Sequence, residues 1–336
     1  MTPTSIEAID SALARDPADV AALIHKADHL AVRGDVRAAS AYYLQAVKIA
    51  AASPVPPGLL RDVERARAAC EALADRIEAA LRERLAAAGL DSRAHLRRFA
   101  ESLDIMFGHR RPYFQEPQYY FFPGLPQIQF YERDLFPWLG AVEAQTPAIR
   151  GELLAVMREP SAFQPYVQGD PSRPRKAQAG MLDNPDWSAF YLIKDGVRVE
   201  ANAARCPRTL AALENVPFPR ITGRTPSVLF SLLRCGAHIP AHNGFLNTRL
   251  ICHLPLVVPP GCSFRVGNEI REWVEGSAWL FDDTIEHEAW NRSAATRVVL
   301  LFDVWRPELT EDERRLVTAM FEAIDAQGGQ RVAWHV

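Results

Sequence analysis

Aromatic residues are nearly absent from the start of this chain, and that asymmetry limits the possible folds more than any other feature. Of 16 Phe, 8 Tyr and 7 Trp, only Tyr42, Tyr43 and Phe99 fall in the first 100 positions, and the first tryptophan is Trp138. The opening segment is rich in Ala, Leu, Arg and Glu, the vocabulary of helix. Ten prolines then crowd positions 112–174, which excludes continuous helix there. Two halves of different architecture follow: a helical domain over 1–108 and a second domain over 109–336.

Within the first half, Leu23, Ala27, Leu30, Gly34, Ala39, Tyr43 and Ala46 fit two antiparallel helices joined at Arg33-Gly34-Asp35. Small residues at 27 and 39 permit close approach, and Tyr43 fills the space between the helices. The pattern resembles one tetratricopeptide repeat, a unit that needs stacked neighbours to bury its face. Apolar stripes over 59–89 and 93–107 supply those neighbours, with Asp91 or Ser92 as a cap between them. The helices read as a docking module for substrate; the competing reading is a plain bundle that buttresses the other half.

After about residue 220 the pattern changes to strands, with a strand core over about 220–306. The runs 226–233, 249–258, 262–266, 277–281 and 296–305 are β-branched and aromatic, bounded by turn signals such as Pro259-Pro260-Gly261. Short strands without intervening helices predict a sandwich or jelly roll. A final helix over about 311–327 begins at the capping box Thr310–Glu313 and stops at Gly328-Gly329. The fold class is therefore α+β, helical domain first.

Composition excludes several classes. Lys plus Arg number 38 against 41 Asp plus Glu, a net charge of −3 that argues against a nucleic-acid binder. No apolar run approaches the roughly 18 residues of a membrane span. The opening MTPTSIEAID has no secretory pattern, and five cysteines without a CxxC suggest neither disulfide framework nor zinc ribbon. Cys206, Cys235, Cys252 and Cys262 read as small core residues. The expectation is a reduced, cytoplasmic protein.

Of nine histidines, His238, His242, His253 and His287 fall inside the β region. The others are His25 and His29 on one helix, His95, His109 and His335. His242, in the turn Pro240-Ala241-His242-Asn243-Gly244 just after a strand, and His287, flanked by Asp282, Asp283 and Glu286, each stand at the mouth of a β region. Two such imidazoles suit Fe(II) with open positions for substrates, although zinc takes the same nitrogens. The carboxylate that many iron oxygenases place two residues after the first histidine is here Gly244. The acids beside His287 either orient a ligand imidazole or form a solvated turn. Arg97, Arg98 and His109-Arg110-Arg111 either attract an acidic peptide or form a solvated face.

Strand alternation puts Arg249, Ile251 and His253 on one face and Arg297, Val299 and Leu301 on another. A guanidinium among Val and Leu needs an anion or hydrogen-bond acceptors. Either Arg297 pairs with Asp303, Glu286 or another acid, or it clamps a ligand carboxylate in a bidentate fork.

Residues 232–305, together with Phe122-Pro123-Gly124-Leu125, Phe136-Pro137-Trp138-Leu139 and Cys206-Pro207, resemble the aspartyl/asparaginyl β-hydroxylase family over about residues 115–310. The resemblance implies a cupin-like double-stranded β-helix and a 2-oxoglutarate- and Fe(II)-dependent dioxygenase using O2. It implies iron held by two histidines alone, so that Gly244 is a family feature. Tetratricopeptide-like helices also precede the catalytic domain in that family. Carried over, His242 and His287 match the iron ligands and Arg297 the arginine on the outer carboxylate of 2-oxoglutarate. Ser231 matches its hydroxyl partner and His253 a histidine near the iron-bound end. Where the family often has a second arginine this chain has Ile251. Either Arg249, on the same face, takes over that contact or the cosubstrate is held by fewer contacts. The implied reaction is hydroxylation of the β-carbon of an Asp or Asn in a peptide or protein, releasing succinate and CO2. Competing readings are a halogenase with halide beside Gly244, a zinc-dependent hydrolase, and a binding module without turnover.

Overall fold

The computed structural model describes residues 5–89, 97–169 and 180–327. It divides into two compact units, Met1–Arg111 and Pro112–Val336, a break a few residues beyond the one expected after 108. The expected cap at Asp91 or Ser92, the stop at Gly328-Gly329, His95 and His335 lie outside the described residues.

The first unit contains α1 (Ile6–Arg15), α2 (Val20–Val32), α3 (Val36–Ala52), α4 (Leu60–Ala87) and α5 (Arg97–Met106). Asp19 and Asp35 cap α2 and α3 through their side chains. Gly34, with φ +80°, makes the turn between them as expected. Leu23, Ala27, Ala39, Tyr43 and Ala46 form one core with Val63 and Ala66 of α4, and Leu30 packs against it. Arg65 bridges to Asp28 with two hydrogen bonds of 2.6 and 2.9 Å, tying α4 to α2. The basic run at its end is already engaged: His109 contacts Glu78 at 2.6 Å and Arg110 contacts Asp104 at 3.1 Å.

The second unit has three layers. Its large antiparallel sheet is ordered β1 (Gln164–Pro165), β2 (Trp187–Lys194), β4 (Val228–Leu233), β11 (Arg297–Trp305), β6 (Arg249–Val257) and β9 (Trp279–Phe281). Strand β3 (Val197–Arg198) pairs with β2. A four-stranded sheet follows the order β5 (His238–His242), β10 (His287–Asn291), β7 (Cys262–Val266) and β8 (Glu269–Glu272). The outer face of the large sheet is covered by α6 (Leu139–Ala144), α7 (Thr146–Val156), and residues near α8 (Glu200–Ala203) and α9 (Pro207–Ala212). The capping box begins α10 (Glu311–Ala326), whose Val317 and Phe321 pack beside Ile221, Leu246 and Trp305.

Alternation along each central strand sorts the side chains. Val228 and Phe230, Leu250, Cys252 and Leu254, and Val298, Leu300 and Phe302 face the helices. Leu233, Ile251 and Val299 face the small sheet, where Phe264, Ile239 and Ala289 meet them. Each such apolar side chain contributes about 1.5–3 kcal/mol when buried, so the sheet is clamped from both sides.

Two expectations change here. The sheet begins before 220, because β2 lies at Trp187–Lys194; buried on both faces, it shows no period of two. Cys235 is exposed rather than core, whereas Cys206, Cys252 and Cys262 are buried; all are free thiols.

Candidate active site

Strands β5 and β10 pair antiparallel with His242 directly opposite His287. Two histidines 45 positions apart in sequence thus become cross-strand neighbours, with ring centroids 4.1 Å apart. His242 is the last residue of its strand and His287 the first of its own, so both stand at one end of the sheet. Nδ1 of His242 lies 2.7 Å from the Pro240 carbonyl, and Nδ1 of His287 lies 3.1 Å from the Ile285 carbonyl. A carbonyl accepts only, so each Nδ1 carries the proton and each Nε2 keeps its lone pair. Burial holds His242 below its ordinary pKa, and burial plus the neighbouring imidazole holds His287 well below it. Both rings are therefore neutral at neutral pH, the form a metal requires. Among the described residues no group of three or more His, Cys, Asp or Glu side chains gathers to hold a metal. The donor set is this pair.

The cavity in front of them is lined by the inner face of the large sheet. Ser231, Arg249, Ile251, His253, Arg297 and Leu301 all border it, with Phe264 and Ala289 opposite. The faces read from strand alternation come together in one cavity: Leu301 pairs with His253, and Ser231 with Val299. Ser231 Oγ accepts a 3.2 Å hydrogen bond from the Trp187 indole, which leaves its own proton free to donate.

Arg297 is 1% exposed and pairs with no carboxylate among the described residues. The acids considered for it serve other arginines. Asp303 accepts from Arg249 at 3.2 Å, and Glu286 from Arg265 at 2.8 Å. What Arg297 has instead is the Ser231 carbonyl at 3.4 Å and the Trp273 ring, 4.7 Å from the guanidinium carbon to the centroid. Its Nε has no partner, and burial pulls its pKa down to about 10. A buried cation without a counter-ion is a receptor for an anion.

Arg249 is in the opposite condition. It lies between Asp283 at 3.4 Å and Asp303 at 3.2 Å, so two carboxylates already hold the arginine offered as a substitute clamp for Ile251. Asp282 and Asp283 do not form a solvated turn, and neither orients an imidazole, since both Nδ1 atoms take carbonyls. Asp282 is wholly buried against Arg306 at 2.9 Å and accepts from Gln115 and Thr284. Asp283 keeps Oδ1 unpartnered, and burial pushes its carboxyl up to about 7 against the opposing pull of Arg249. Its carboxylate occupies the space in which a Cβ on Gly244 would sit. The room beside Gly244 that a halide would need is filled by this acid.

Sequence reasoning missed the aromatic walls. Tyr166 stacks on Trp187 with centroids 4.0 Å apart, and Phe264 and Phe281 flank both His253 and His287. The signal for Phe264 and Phe281 was available in the strands already recognised at 262–266 and 277–281, whereas Tyr166 and Trp187 precede residue 220, where no strand was expected.

Residues 143–307 match the family model described as Aspartyl/Asparaginyl beta-hydroxylase. An ornithine lipid ester-linked acyl 2-hydroxylase of Rhizobium tropici is 38% identical over 180 residues, 53% of this chain and 60% of that protein. The Homo sapiens aspartyl/asparaginyl beta-hydroxylase is 36% identical over 182 residues, 54% of this chain and 22% of that protein. Aspartate beta-hydroxylase domain-containing protein 2 of Xenopus tropicalis is 29% identical over 216 residues, 63% of this chain and 56% of that protein. The chain thus spans at most 60% of the length of these relatives. Among solved structures, a sugar phosphate isomerase of the cupin superfamily from Silicibacter pomeroyi overlaps with TM-score 0.26 at 14% identity, covering 42% of this chain and 71% of that one.

Proposed function

We propose that this chain, whose residues 143–307 match the aspartyl/asparaginyl β-hydroxylase family model, is a member of that family and an Fe(II)- and 2-oxoglutarate-dependent dioxygenase built on a double-stranded β-helix. One observation carries this reading: a buried guanidinium with no counter-ion among the described residues shares a cavity with two neutral imidazoles whose Nε2 atoms have no partner among those residues. A metal at one end and an anion at the other is what a keto-diacid cosubstrate needs.

The donor set fits iron. Imidazole nitrogens suit Fe(II), and both tautomers are fixed by backbone carbonyls, which aims Nε2 into the cavity without further rearrangement. What bound Fe(II) supplies there is O2 activation coupled to decarboxylation of 2-oxoglutarate, giving succinate, CO2 and one hydroxyl on a substrate carbon. His242 and His287 hold the metal. Arg297 grips the outer carboxylate, and the Ser231 hydroxyl donates to it. His253, neutral and with Nδ1 unpartnered, borders the cosubstrate between those ends. Arg249 fixes Asp283 and Asp303. Asp283 Oδ1, near neutrality in its pKa, holds or releases a proton beside the histidines. Tyr166, Trp187, Phe264 and Phe281 exclude water.

The substrate carbon proposed is the β-carbon of an Asp or Asn in a peptide or protein, with the helical unit as a docking module. A second reading rests on the Rhizobium tropici relative, whose name places the hydroxyl at an acyl 2-position. Both carbons lie next to a carbonyl group, so the reaction class is the same and the substrate differs. Anaerobic addition of Fe(II) and then 2-oxoglutarate should produce a weak visible charge-transfer band. Admission of O2 with an Asp-containing peptide should yield succinate and a product heavier by one oxygen. Succinate formation with an acyl lipid only would select the second reading; no band and no succinate would refute both.

A further inference from the structure

Behind the cavity lining, next to Arg297 and His253, lie polar atoms that packing does not explain. Trp273 Nε1 and Trp279 Nε1 are both buried without a hydrogen-bond partner among the described residues, as are Arg297 Nε and His253 Nδ1. The four lie together. The Trp273 ring is 4.7 Å from the Arg297 guanidinium carbon, 6.0 Å from the His253 ring and 5.8 Å from the Trp279 ring. Trp279 is the direct cross-strand partner of His253, so its side chain stands on the face that borders the cavity. Both indoles are at least nine-tenths buried, at 5% and 9% exposure.

An indole N–H is a donor only, and leaving it unpaired in the interior is costly. A phenylalanine or leucine would fill the same volume without that cost, and buried polar groups in folded proteins are almost always paired. Two orphaned donors beside one orphaned guanidinium therefore point to a single missing acceptor. Ile251, which shares the strand face with His253, offers none and donates nothing. Neutral donors also strengthen an anion site without the desolvation that a second buried cation would require.

We propose that the indole N–H groups of Trp273 and Trp279 are anion-binding donors that complete, with Arg297, the subsite for the outer carboxylate of the cosubstrate. The assignment rests on the reading of the cavity as a 2-oxoglutarate site and adds two indoles to the guanidinium of Arg297 and the hydroxyl of Ser231 as donors to the outer carboxylate. Trp273 also serves as the platform on which the guanidinium lies, which keeps its plane fixed for the incoming carboxylate.

The test needs no turnover. In the 15N-labelled full chain loaded with Zn(II), the seven indole N–H resonances are followed while 2-oxoglutarate, and separately pyruvate, is added. Peaks are assigned by their loss in Trp273→Phe and Trp279→Phe. The expected result is a downfield shift of both indole protons with 2-oxoglutarate and none with pyruvate, which keeps the keto-acid end but lacks the outer carboxylate. By calorimetry, each Phe variant, which keeps ring and volume, should raise the 2-oxoglutarate dissociation constant about ten- to a hundred-fold, the worth of a hydrogen bond to a charged group. If 2-oxoglutarate binds and Arg297→Gln weakens it, yet neither indole shifts and neither Phe variant loses affinity, the indoles are packing residues and this assignment falls alone. If 2-oxoglutarate does not bind or binds independently of Arg297, the reading of the cavity falls with it. Should a Phe variant fail to fold, the number of indole protons that move with 2-oxoglutarate but not with pyruvate in the unaltered chain still decides: at least two are expected, and none would overturn the assignment.

Discussion

Replacing Arg297 with Met separates a binding role from a structural one, because the two roles predict opposite signs for stability. This side chain is 1% exposed and has no acidic partner among the described residues, with one 3.4 Å contact to a carbonyl and one aromatic platform. Substituting a buried, uncompensated charge by an apolar side chain of similar length is neutral to stabilising by about 1–4 kcal/mol. The lost cation–π contact offsets up to about 2 kcal/mol of that gain. At roughly 2–4 °C per kcal/mol for a unit of this size, Tm should stay level or rise by a few degrees. Binding should move the other way. Truncating one side of a desolvated, hydrogen-bonded charge pair costs about 2–5 kcal/mol, so the 2-oxoglutarate dissociation constant should rise about 30- to 4,000-fold. Ligand at a hundred times its dissociation constant stabilises the unaltered chain by about 2.7 kcal/mol, a rise in Tm of several degrees that the variant should lose. Arg297→Lys should recover only part of it, since an ammonium cannot form the fork. Paired thermal melts with and without 2-oxoglutarate measure both quantities at once. A variant that melts well below the unaltered chain while keeping the ligand-induced rise would refute the reasoning, because the guanidinium would then be structural.

Three further outcomes follow from the site. His242→Ala and His287→Ala should each abolish Fe(II) binding and succinate formation while circular dichroism stays unchanged, since both residues sit at strand ends; retained iron in either variant would dismantle the ligand pair. Gly244→Ala should destabilise the chain by about 1–3 kcal/mol, because the new Cβ overlaps the Asp283 carboxylate. Most of that loss should vanish in the Asp283→Ala background, and additive effects in the double-mutant cycle would show that the overlap is relieved elsewhere. Asp283 binds its proton more tightly folded, at a pKa of about 7, than at its ordinary 3.8. Its contribution to the stability of the metal-free chain is therefore fully present below about pH 4 and lost as pH rises through 7. Denaturant melts from pH 4 to 8 should show Asp283→Asn gaining on the unaltered chain across that window, and a constant difference would mean that the carboxyl is ionised throughout.

The sequence disclosed the parts of this protein that depend on periodicity and concealed those that depend on pairing across the sheets. Strand alternation alone placed Arg249, Ile251 and His253 on one face and Arg297 with Leu301 on another, and the register between β6 and β11 brings both faces to one cavity. Capping chemistry at Thr310 and the glycine turn at Gly34 were equally local and equally readable. Strand β2 was hidden because a strand covered on both faces loses its period of two, and β10 because its buried positions over only five residues carry His287, Ala289 and Asn291 rather than large apolar side chains. The arginine partners were hidden for a different reason. Asp303 lies six residues after Arg297 on the same strand and on the same face, which made the two look like a pair. At about 3.4 Å of rise per residue, however, six positions place them roughly 20 Å apart. Across the ladder, Asp303 is the register partner of Ile251, one alternation from Arg249, and that neighbour takes it. The acid that seemed to satisfy Arg297 therefore serves an arginine of the next strand, and the charge it leaves uncompensated is what supports reading the cavity as a site for an anion.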